Sequence, residues 1–179
     1  MDATTILNDL AKRPLDALTM IEPKLDTQVL NIHIDGHPNS IAWLLWHAGR
    51  ELDVQLSDLS GNEQVWTSQG FDKRFDLGLS SDDLGAAQMG YGQSPEQAEA
   101  IKVDDPSLLV EYLDATTQAQ VTYLSGLSDS DLAEVIDAQW NPPVTRASRI
   151  VSISVDAAEH VAQAAFILGT KAAEAVESK

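Results

Sequence analysis

Histidine is scarce in this 179-residue chain, and two of its four histidines interrupt strongly apolar segments. His47 follows the run Trp43-Leu44-Leu45-Trp46, and His160 lies in the segment Val155-Asp156-Ala157-Ala158-Glu159-His160-Val161-Ala162. Asp156 precedes His160 by four residues. On a helix that spacing puts two side chains on nearly the same face, one turn or about 6 Å apart. Asp156 and His160 can therefore hold one ion between them.

A third ligand can come from a second helix. If the helices that carry His47 and His160 pack side by side, the chain offers two imidazoles and one carboxylate. That set is typical of catalytic zinc, because it leaves a position open for water or substrate. It also matches the facial triad of mononuclear iron enzymes, and Ni²⁺ is a further candidate. Gln163 lies three residues beyond His160 and is a candidate hydrogen-bonding partner for that ligand.

An ordinary structural interpretation competes with the metal site. A histidine on an apolar helix is commonly a hydrogen-bonded core residue, and Asp156 with His160 can form a simple ion pair. Glu159 points about 100° away from His160 around the helix, so we expect it in solvent. Glu51 follows His47 by one turn and either faces the site or pairs with a neighbour.

The remaining histidines and a few arginines are secondary candidates. His33 and His37 share the four-residue spacing, but Gly36 and Pro38 between and beside them favour a loop. Basic residues are few, so a bidentate contact to an anionic substrate group is one use for an arginine, and ordinary salt bridges are the other. The three arginines considered are Arg50, Arg146 and Arg149. The chain has no Gly-rich phosphate loop, G-x-S-x-G or H-E-x-x-H motif.

Composition narrows the classes of function. Twenty-eight Asp and Glu against eleven Lys and Arg give a net charge of −17, which repels phosphate backbones and makes a nucleic-acid partner unexpected. Cysteine is absent, so disulfides, thiolate nucleophiles and cysteine-bearing metal sites are excluded. Any thiol chemistry must use a thiol from outside. No apolar run approaches the roughly 20 residues of a membrane span, and no secretory signal is visible, so we expect a cytoplasmic protein.

Hydrophobic periodicity predicts four long helices. The first, within 4–25, is interrupted by Pro14 and is either kinked or split. The second runs from Ile41 to Leu59 between a Ser40 cap and Gly61, and the third runs from Pro106 to Gly126. The last begins around 145–148 and continues to about Glu177. Its apolar set comprises Val151, Val155, Ala158, Ala162, Ala165, Phe166 and Leu168.

The connections are predicted to be irregular. Six of ten glycines fall between Gly61 and Gly92, and a connection of that length within a compact domain is usually functional or disordered. Its aromatics indicate that it packs: they are Trp66, Phe71, Phe75 and Tyr91. We expect a short helix over 129–136, an extended or turning segment at 140–143 and no regular strand. The prediction is an all-α four-helix bundle, forming a single domain over 1–179, with a long irregular connection between helices 2 and 3.

Four segments together resemble the DinB-like superfamily. They are Asn39 to His47, Gly90-Tyr91-Gly92, Trp140-Asn141-Pro142-Pro143-Val144, and Asp156 to Gln163. The actinobacterial branch that includes mycothiol-dependent maleylpyruvate isomerase and proposed mycothiol transferases looks closest. The resemblance implies a helical bundle with a divalent-metal site, in which His47, Asp156 and His160 occupy the ligand positions. Asp156 stands where many members have histidine.

The resemblance implies a function that suits a chain without cysteine. A metal-bound thiolate of a low-molecular-weight thiol would attack an electrophile, making the protein an S-transferase or isomerase. The alternatives are a non-catalytic metal-binding or stress-associated bundle with a closed site, and a metal-dependent hydrolase. The expected partners are a small-molecule substrate and a thiol, with no nucleic acid and no membrane. The exposed remainder of an apolar bundle could also pair two chains.

Overall fold

The computed structural model describes residues 2–170, and these are mostly helical with one small sheet. The helices and strands are α1 (Ala3–Ile21), α2 (Thr27–Leu30), α3 (Ile41–Ser60), α4 (Val65–Ser68), α5 (Phe71–Phe75), α6 (Pro95–Glu99), α7 (Pro106–Ser125), α8 (Asp129–Leu132), β1 (Val135–Asp137), β2 (Val144–Thr145) and α9 (Arg146–Leu168). A 3₁₀ turn, Glu22–Lys24, follows α1. The all-α prediction is confirmed at this level.

Local capping sets the bounds of the long helices. The Ser40 side chain accepts a hydrogen bond from the Trp43 backbone N–H, and Gly61 ends α3 in the left-handed conformation with φ of 73°. Pro106 occupies the first turn of α7, where its missing N–H costs nothing, and the Asp105 side chain caps that helix. The predicted bounds of α3 and α7 are therefore confirmed to within a residue.

The long helices pack around a common core. Helices α3 and α1 each contact both α7 and α9. Every residue of α3 from Ile41 to Val54 is buried, because the connection that follows α3 covers the side that its helical neighbours leave open. A helix buried all round must find partners inside the protein for its polar side chains. Those in α3 are His47, Arg50, Glu51 and Asp53.

The long connection is packed through aromatic rings. The ring of Tyr112 on α7 lies 5.3 Å from that of Trp66, 4.8 Å from Phe71 and 5.7 Å from Phe75, measured between centroids. These three aromatics are buried, as predicted, whereas Tyr91 is 70% exposed. The connection therefore belongs to the core through α4 and α5, and not through Tyr91.

Several elements differ from the predictions. Helix α1 is continuous through Pro14, so it is one helix and the alternative of two short helices is wrong. Only Asp129–Leu132 of the predicted 129–136 helix is helical, and Val135–Asp137 instead pairs antiparallel with Val144–Thr145, so the expectation of no strand was wrong. Three-residue and two-residue strands are too short to show an alternating pattern. The linking segment contains a cis peptide bond, Asn141–Pro142.

Helix α9 also differs from its prediction. Val151 and Val155 are 40% and 39% exposed and Phe166 is 74% exposed, while Ile150, Ile153, Ala157, Val161 and Ala164 form the buried face. Small apolar residues occur around most of this helix, so the spacing of apolar residues in the sequence does not show which face of the helix is buried. The described helix ends at Leu168. The predicted continuation toward Glu177 lies largely outside the described residues.

Within 2–170, one helix is long and apolar enough to pass a test for a membrane span. This helix is α9, and 39% of the apolar window is buried inside the protein. The core helix of a soluble protein passes the same test, and α9 packs against α1 and α3. The finding is therefore weak support for a membrane span.

Candidate metal centre

The structure brings together the three residues that the sequence singled out. His47 on α3 faces Asp156 and His160 on α9, and ligand atoms from all three lie within 4.8 Å of one another. The Asp156 Oδ2 atom is 4.0 Å from His47 Nε2 and 3.6 Å from His160 Nε2. The imidazole centroids are 4.6 Å apart and nearly perpendicular, at 79°. The sequence predicted a three-residue site only if the two helices pack side by side. The packing of α3 against α9 meets that condition.

Hydrogen bonds at the far side of each imidazole fix its tautomer. His47 Nδ1 contacts the Met89 carbonyl oxygen, which can only accept, so Nδ1 carries the proton. His160 Nδ1 lies 3.0 Å from Gln163 Oε1 and donates to it in the same way. The hydrogen-bonding role expected of Gln163 is present. In the neutral form of each ring, Nε2 is then an unprotonated acceptor, as metal ligation requires.

Three acceptor atoms converge here without a donor between them. Asp156 Oδ2 is buried and has no hydrogen-bond partner among the described residues, and the nearest polar atoms are the two Nε2 lone pairs. Such an arrangement is unfavourable unless a divalent cation lies among the three atoms or a proton on one imidazole pairs it with the carboxylate. Ligands about 2.1 Å from a tetrahedral ion lie roughly 3.4 Å from one another. The separations from Asp156 Oδ2, 3.6 Å and 4.0 Å, are larger, and the three ligand atoms lie within 4.8 Å of one another, so side-chain rotations would have to draw them together around a divalent ion.

The loop 88–93 holds the first ligand in place. Met89 accepts from His47, and Gln93 Oε1 accepts a 2.7 Å hydrogen bond from Trp43 Nε1. The Trp43 indole stacks on the His47 ring at 4.6 Å with an interplanar angle of 17°. The orientation of His47 is therefore set by contacts to residues more than 40 positions later in the chain.

Gly90 permits the close approach of this loop to α3. It has a φ of +91°, and a Cβ atom placed there would lie 3.1 Å from both Trp43 and Trp46 and 3.2 Å from His47 Nδ1. Both the conformation and the contacts select glycine. The sequence carried a signal of this role in the Gly90-Tyr91-Gly92 segment, but only through the resemblance.

Burial shapes the electrostatics of the centre. Desolvation is the main cause of the lowered pKa of His47, the neighbouring His160 adds to it, and the Met89 contact and Asp156 oppose it. The imidazole is therefore held in its neutral form. Burial also raises the pKa of Glu51 to about 8, with a further increase from the charge of Asp156 and a decrease from Arg149.

A polar seam, defined as Glu51, Gln55, Arg149 and Asp156, runs between α3 and α9. Gln55 donates to Glu51 Oε1 and accepts a 3.0 Å hydrogen bond from Arg149. Glu51 Oε2 is buried and has no partner among the described residues. Glu51 thus pairs with a neighbour, which was one of the two alternatives predicted for it. The sequence did not predict its link to Arg149 through Gln55, because the two residues lie on different helices.

Glu159 is exposed, as expected.

Arg50 is a structural residue. It is 1% exposed, its Nε donates to the Gln88 carbonyl at 2.8 Å, and its other nitrogens donate to Gln64 Oε1 and to the Tyr112 hydroxyl. Asp53 Oδ2 lies 3.5 Å away. These contacts use the guanidinium to join the connection to α3 and α7, so it is not free to bind a substrate.

The other two arginines also have protein partners. Arg146 pairs with Glu134 and donates to Tyr123 and to the Leu59 carbonyl. Arg149 belongs to the polar seam. The ordinary salt-bridge and hydrogen-bond interpretation fits these two residues better than direct binding of an anionic substrate.

Two cavities adjoin the imidazole ligands, and a third, of about 360 Å³, is lined by Asp156 and Glu159. The larger, about 1080 Å³, is lined by His160 and mainly apolar residues of α9 and of the segment 34–39. The smaller, about 310 Å³, is lined by His47, Trp43 and the segment 90–95. Pro38 and Asn39 line both cavities. His37, expected in a loop, is in one and lines the larger cavity, whereas His33 lines neither.

Comparison with known proteins places the chain in a family. The sequence profile of the DinB superfamily matches residues 10–164. A crystal structure of the conserved protein of locus from Enterococcus faecalis is 30% identical and superposes with a TM-score of 0.83, over 93% of this chain and 95% of that one. No curated protein matches the chain.

Proposed function

Because the chain belongs to the DinB superfamily, we propose that it is a divalent-metal-dependent enzyme that joins a low-molecular-weight thiol to an electrophile. The reaction is an S-transfer or a thiol-assisted isomerisation. We place the chain in the actinobacterial mycothiol-using branch and in the cytoplasm, and we interpret its four long helices as the four-helix bundle of that group. The convergence of three acceptor atoms at Asp156 Oδ2 carries the proposal.

The residues that would hold the metal are His47, Asp156 and His160. Two imidazoles and one carboxylate suit Zn²⁺ best, with Ni²⁺ and Fe²⁺ as alternatives. A divalent cation bound there would act as a Lewis acid and keep the sulfur of a bound thiol in its thiolate form near neutral pH. Met89 and Gln163 hold the imidazoles in the tautomer that this requires.

The two cavities support a reaction with two substrates. His160 lines the larger cavity and His47 the smaller, so each imidazole ligand borders a different space. We assign the thiol to the smaller cavity and the electrophile to the larger. The thiol proton passes to solvent, and the sulfur electron pair forms the new carbon–sulfur bond. In a transferase a leaving group departs with its bonding pair. In an isomerase the thiolate adds to a conjugated carbon–carbon double bond, the resulting single bond rotates, and the thiolate leaves with the carbon–sulfur bonding pair as the double bond re-forms in the other geometry.

Metal content tests the centre directly. Protein purified without added metal or chelator should contain close to one divalent ion per chain by plasma mass spectrometry. The ion should be lost in His47→Ala and Asp156→Ala and kept in His33→Ala, a matched histidine outside both cavities. A parent protein that is empty and cannot be reloaded with Zn²⁺, Ni²⁺ or Fe²⁺ would contradict the proposal.

Thiol binding separates the proposed enzyme from its alternatives. Cobalt-substituted protein titrated with mycothiol should gain the near-ultraviolet sulfur-to-metal charge-transfer band, and mycothiol should then be alkylated by a model electrophile such as monochlorobimane. Ester or amide hydrolysis without thiol, and without that band, would favour the hydrolase. Bound metal with neither activity nor the band would favour the non-catalytic bundle.

A further inference from the structure

The larger cavity combines apolar walls with acidic charge. Its apolar wall includes Leu44 on α3 and Ala162 and Phe166 on α9. The charged residues that line it, Asp35 and Glu159, are both acidic and both exposed. None of the described residues lining it is lysine or arginine. A carboxylate entering the cavity would therefore meet like charge and no compensating cation.

The arginines near the centre do not correct this imbalance. Arg50 is buried among Gln64, Gln88 and Tyr112. Arg146 and Arg149 line a different cavity, which shares no residue with the larger one. The overall charge of −17 also repels anionic ligands at longer range.

One neutral donor is fixed in the larger cavity. The Asn39 backbone N–H donates to His37 Nδ1 over 3.1 Å, so Nδ1 is the acceptor and Nε2 carries the proton of the neutral ring. His37 lines the same cavity as His160. Its Nε2–H can donate to a carbonyl oxygen without requiring a charged ligand.

We infer that the larger cavity selects an uncharged, apolar electrophile bearing a carbonyl group and discriminates against carboxylates. The inference rests on the proposed function and names the substrate class of its second site. The apolar walls bind the hydrocarbon part, the His37 imidazole donates to the carbonyl oxygen, and Asp35 and Glu159 repel anions. A dicarboxylate is then a poor substrate for this chain.

Three probes of matched size test the inference: 4-phenylbutan-2-one, 3-phenylpropanoate and 3-phenylpropylamine. Their binding to metal-free protein at pH 8 is measured by calorimetry, because a bound ion would attract the carboxylate for an unrelated reason. The ketone should bind at least about tenfold more tightly than the carboxylate. The amine should also bind more tightly than the carboxylate. Equal or tighter binding of the carboxylate overturns the inference, as does failure of the ketone to bind.

Variants locate the effect in this cavity. Ala162→Trp fills part of the cavity from an exposed helix position and should weaken ketone binding by about tenfold. The double variant Asp35→Asn, Glu159→Gln should reduce the difference in binding affinity between the ketone and the carboxylate, which is called the gap below. The control Asp72→Asn, Glu99→Gln changes two exposed acids elsewhere and should leave the gap unchanged. An unchanged ketone affinity in Ala162→Trp, or an unchanged gap in the first double variant, contradicts the inference.

The design keeps the two proposals apart. Binding to metal-free protein requires neither the ion nor the thiol. Selective ketone binding without metal uptake would therefore contradict only the proposed enzymatic function. Metal and thiol binding without ketone selectivity would contradict only the inference about the larger cavity.

Discussion

The carboxylate of Asp156 sets the charge of the candidate centre. With two neutral imidazoles, one carboxylate would leave a bound divalent ion with a net charge of +1, which the proposed thiolate would neutralise. A third histidine would leave +2. The aspartate therefore lowers the Lewis acidity of the ion but raises the affinity of the empty protein for it, because the cation gains a charged partner.

Replacing that carboxylate by an amide tests its contribution. Asp156→Asn keeps the size of the side chain and removes its charge, so the affinity for Zn²⁺ should fall by on the order of 100-fold. The affinity is measured by competition with a chromophoric chelator. Asp16→Asn, at an exposed site on α1, should match the parent protein. A fall of less than about threefold in Asp156→Asn would mean that the aspartate is not a ligand.

Glu51 makes the metal-free protein sensitive to pH. An unfolded chain ionises this residue near its ordinary pKa of 4.5, whereas the folded protein holds the proton up to about 8. Between these values the unfolded state binds fewer protons, so the free energy of unfolding falls as pH rises. Glu51→Gln should be more stable than the parent at pH 8, by on the order of 3 kcal/mol, and about equal at pH 4.

Urea unfolding at several pH values measures this difference. The control Glu159→Gln, at an exposed position on α9, should keep the pH dependence of the parent. Metal bound at Asp156 would favour ionised Glu51 and flatten the slope. A parent whose stability does not decline between pH 5 and 8 would show that Glu51 ionises normally.

At the scale of the elements, the loop 88–93 and helix α3 form one unit. Gly90 allows that unit to close, and Gly92 offers a matched comparison because its φ is also positive, at +74°, while a Cβ there would contact nothing within 4 Å. Both alanine variants carry the strain of a positive φ, about 1–2 kcal/mol. Only Gly90→Ala should also displace His47 and weaken Zn²⁺ binding, by at least about tenfold. Equal metal affinities in the two variants would contradict this role.

A second glycine controls the contact between α3 and α7. A Cβ at Gly49 would lie 2.6 Å from Tyr112 Cδ1, too close for the buried ring to accept. Alanine normally stabilises a helix by about 1 kcal/mol relative to glycine. Gly49→Ala should instead destabilise the protein by roughly 2–3 kcal/mol in chemical unfolding. Gly126→Ala, where the nearest atom is 3.6 Å away, should change little, and a stabilised Gly49→Ala would refute the predicted clash.

Local rules predicted the elements better than their contacts. Capping residues and prolines gave the bounds of α3 and α7, since those signals act within a few residues. The spacing of Asp156 and His160 likewise lies within one helical turn. The approach of His47, the Met89 carbonyl and the Gln55 link to Arg149 depend on packing between distant segments. The inner face of α9 was missed because exposed Val151, Val155 and Phe166 are as apolar as the buried positions.

At the scale of the whole molecule, the charge of −17 opposes compaction. Raising the ionic strength from about 0.01 M to 0.15 M shortens the screening length from roughly 30 Å to 8 Å. The melting temperature should therefore rise by a few degrees. NaCl and KCl should act equally if screening is the cause, and a rise confined to one monovalent salt would indicate specific ion binding. Zn²⁺ at micromolar concentration should raise the melting temperature separately, by mass action at its own site.

The separation of the two cavities by Pro38 and Asn39 has a kinetic consequence. Each cavity is lined by an exposed aromatic residue of its own, Tyr91 in the smaller and Phe166 in the larger. In the proposed reaction neither substrate would then have to pass through the space of the other, and neither would have to leave before the other enters. Initial rates measured against both concentrations should give intersecting double-reciprocal lines, each substrate being able to bind first, whereas parallel lines would require that one cavity serve both in turn.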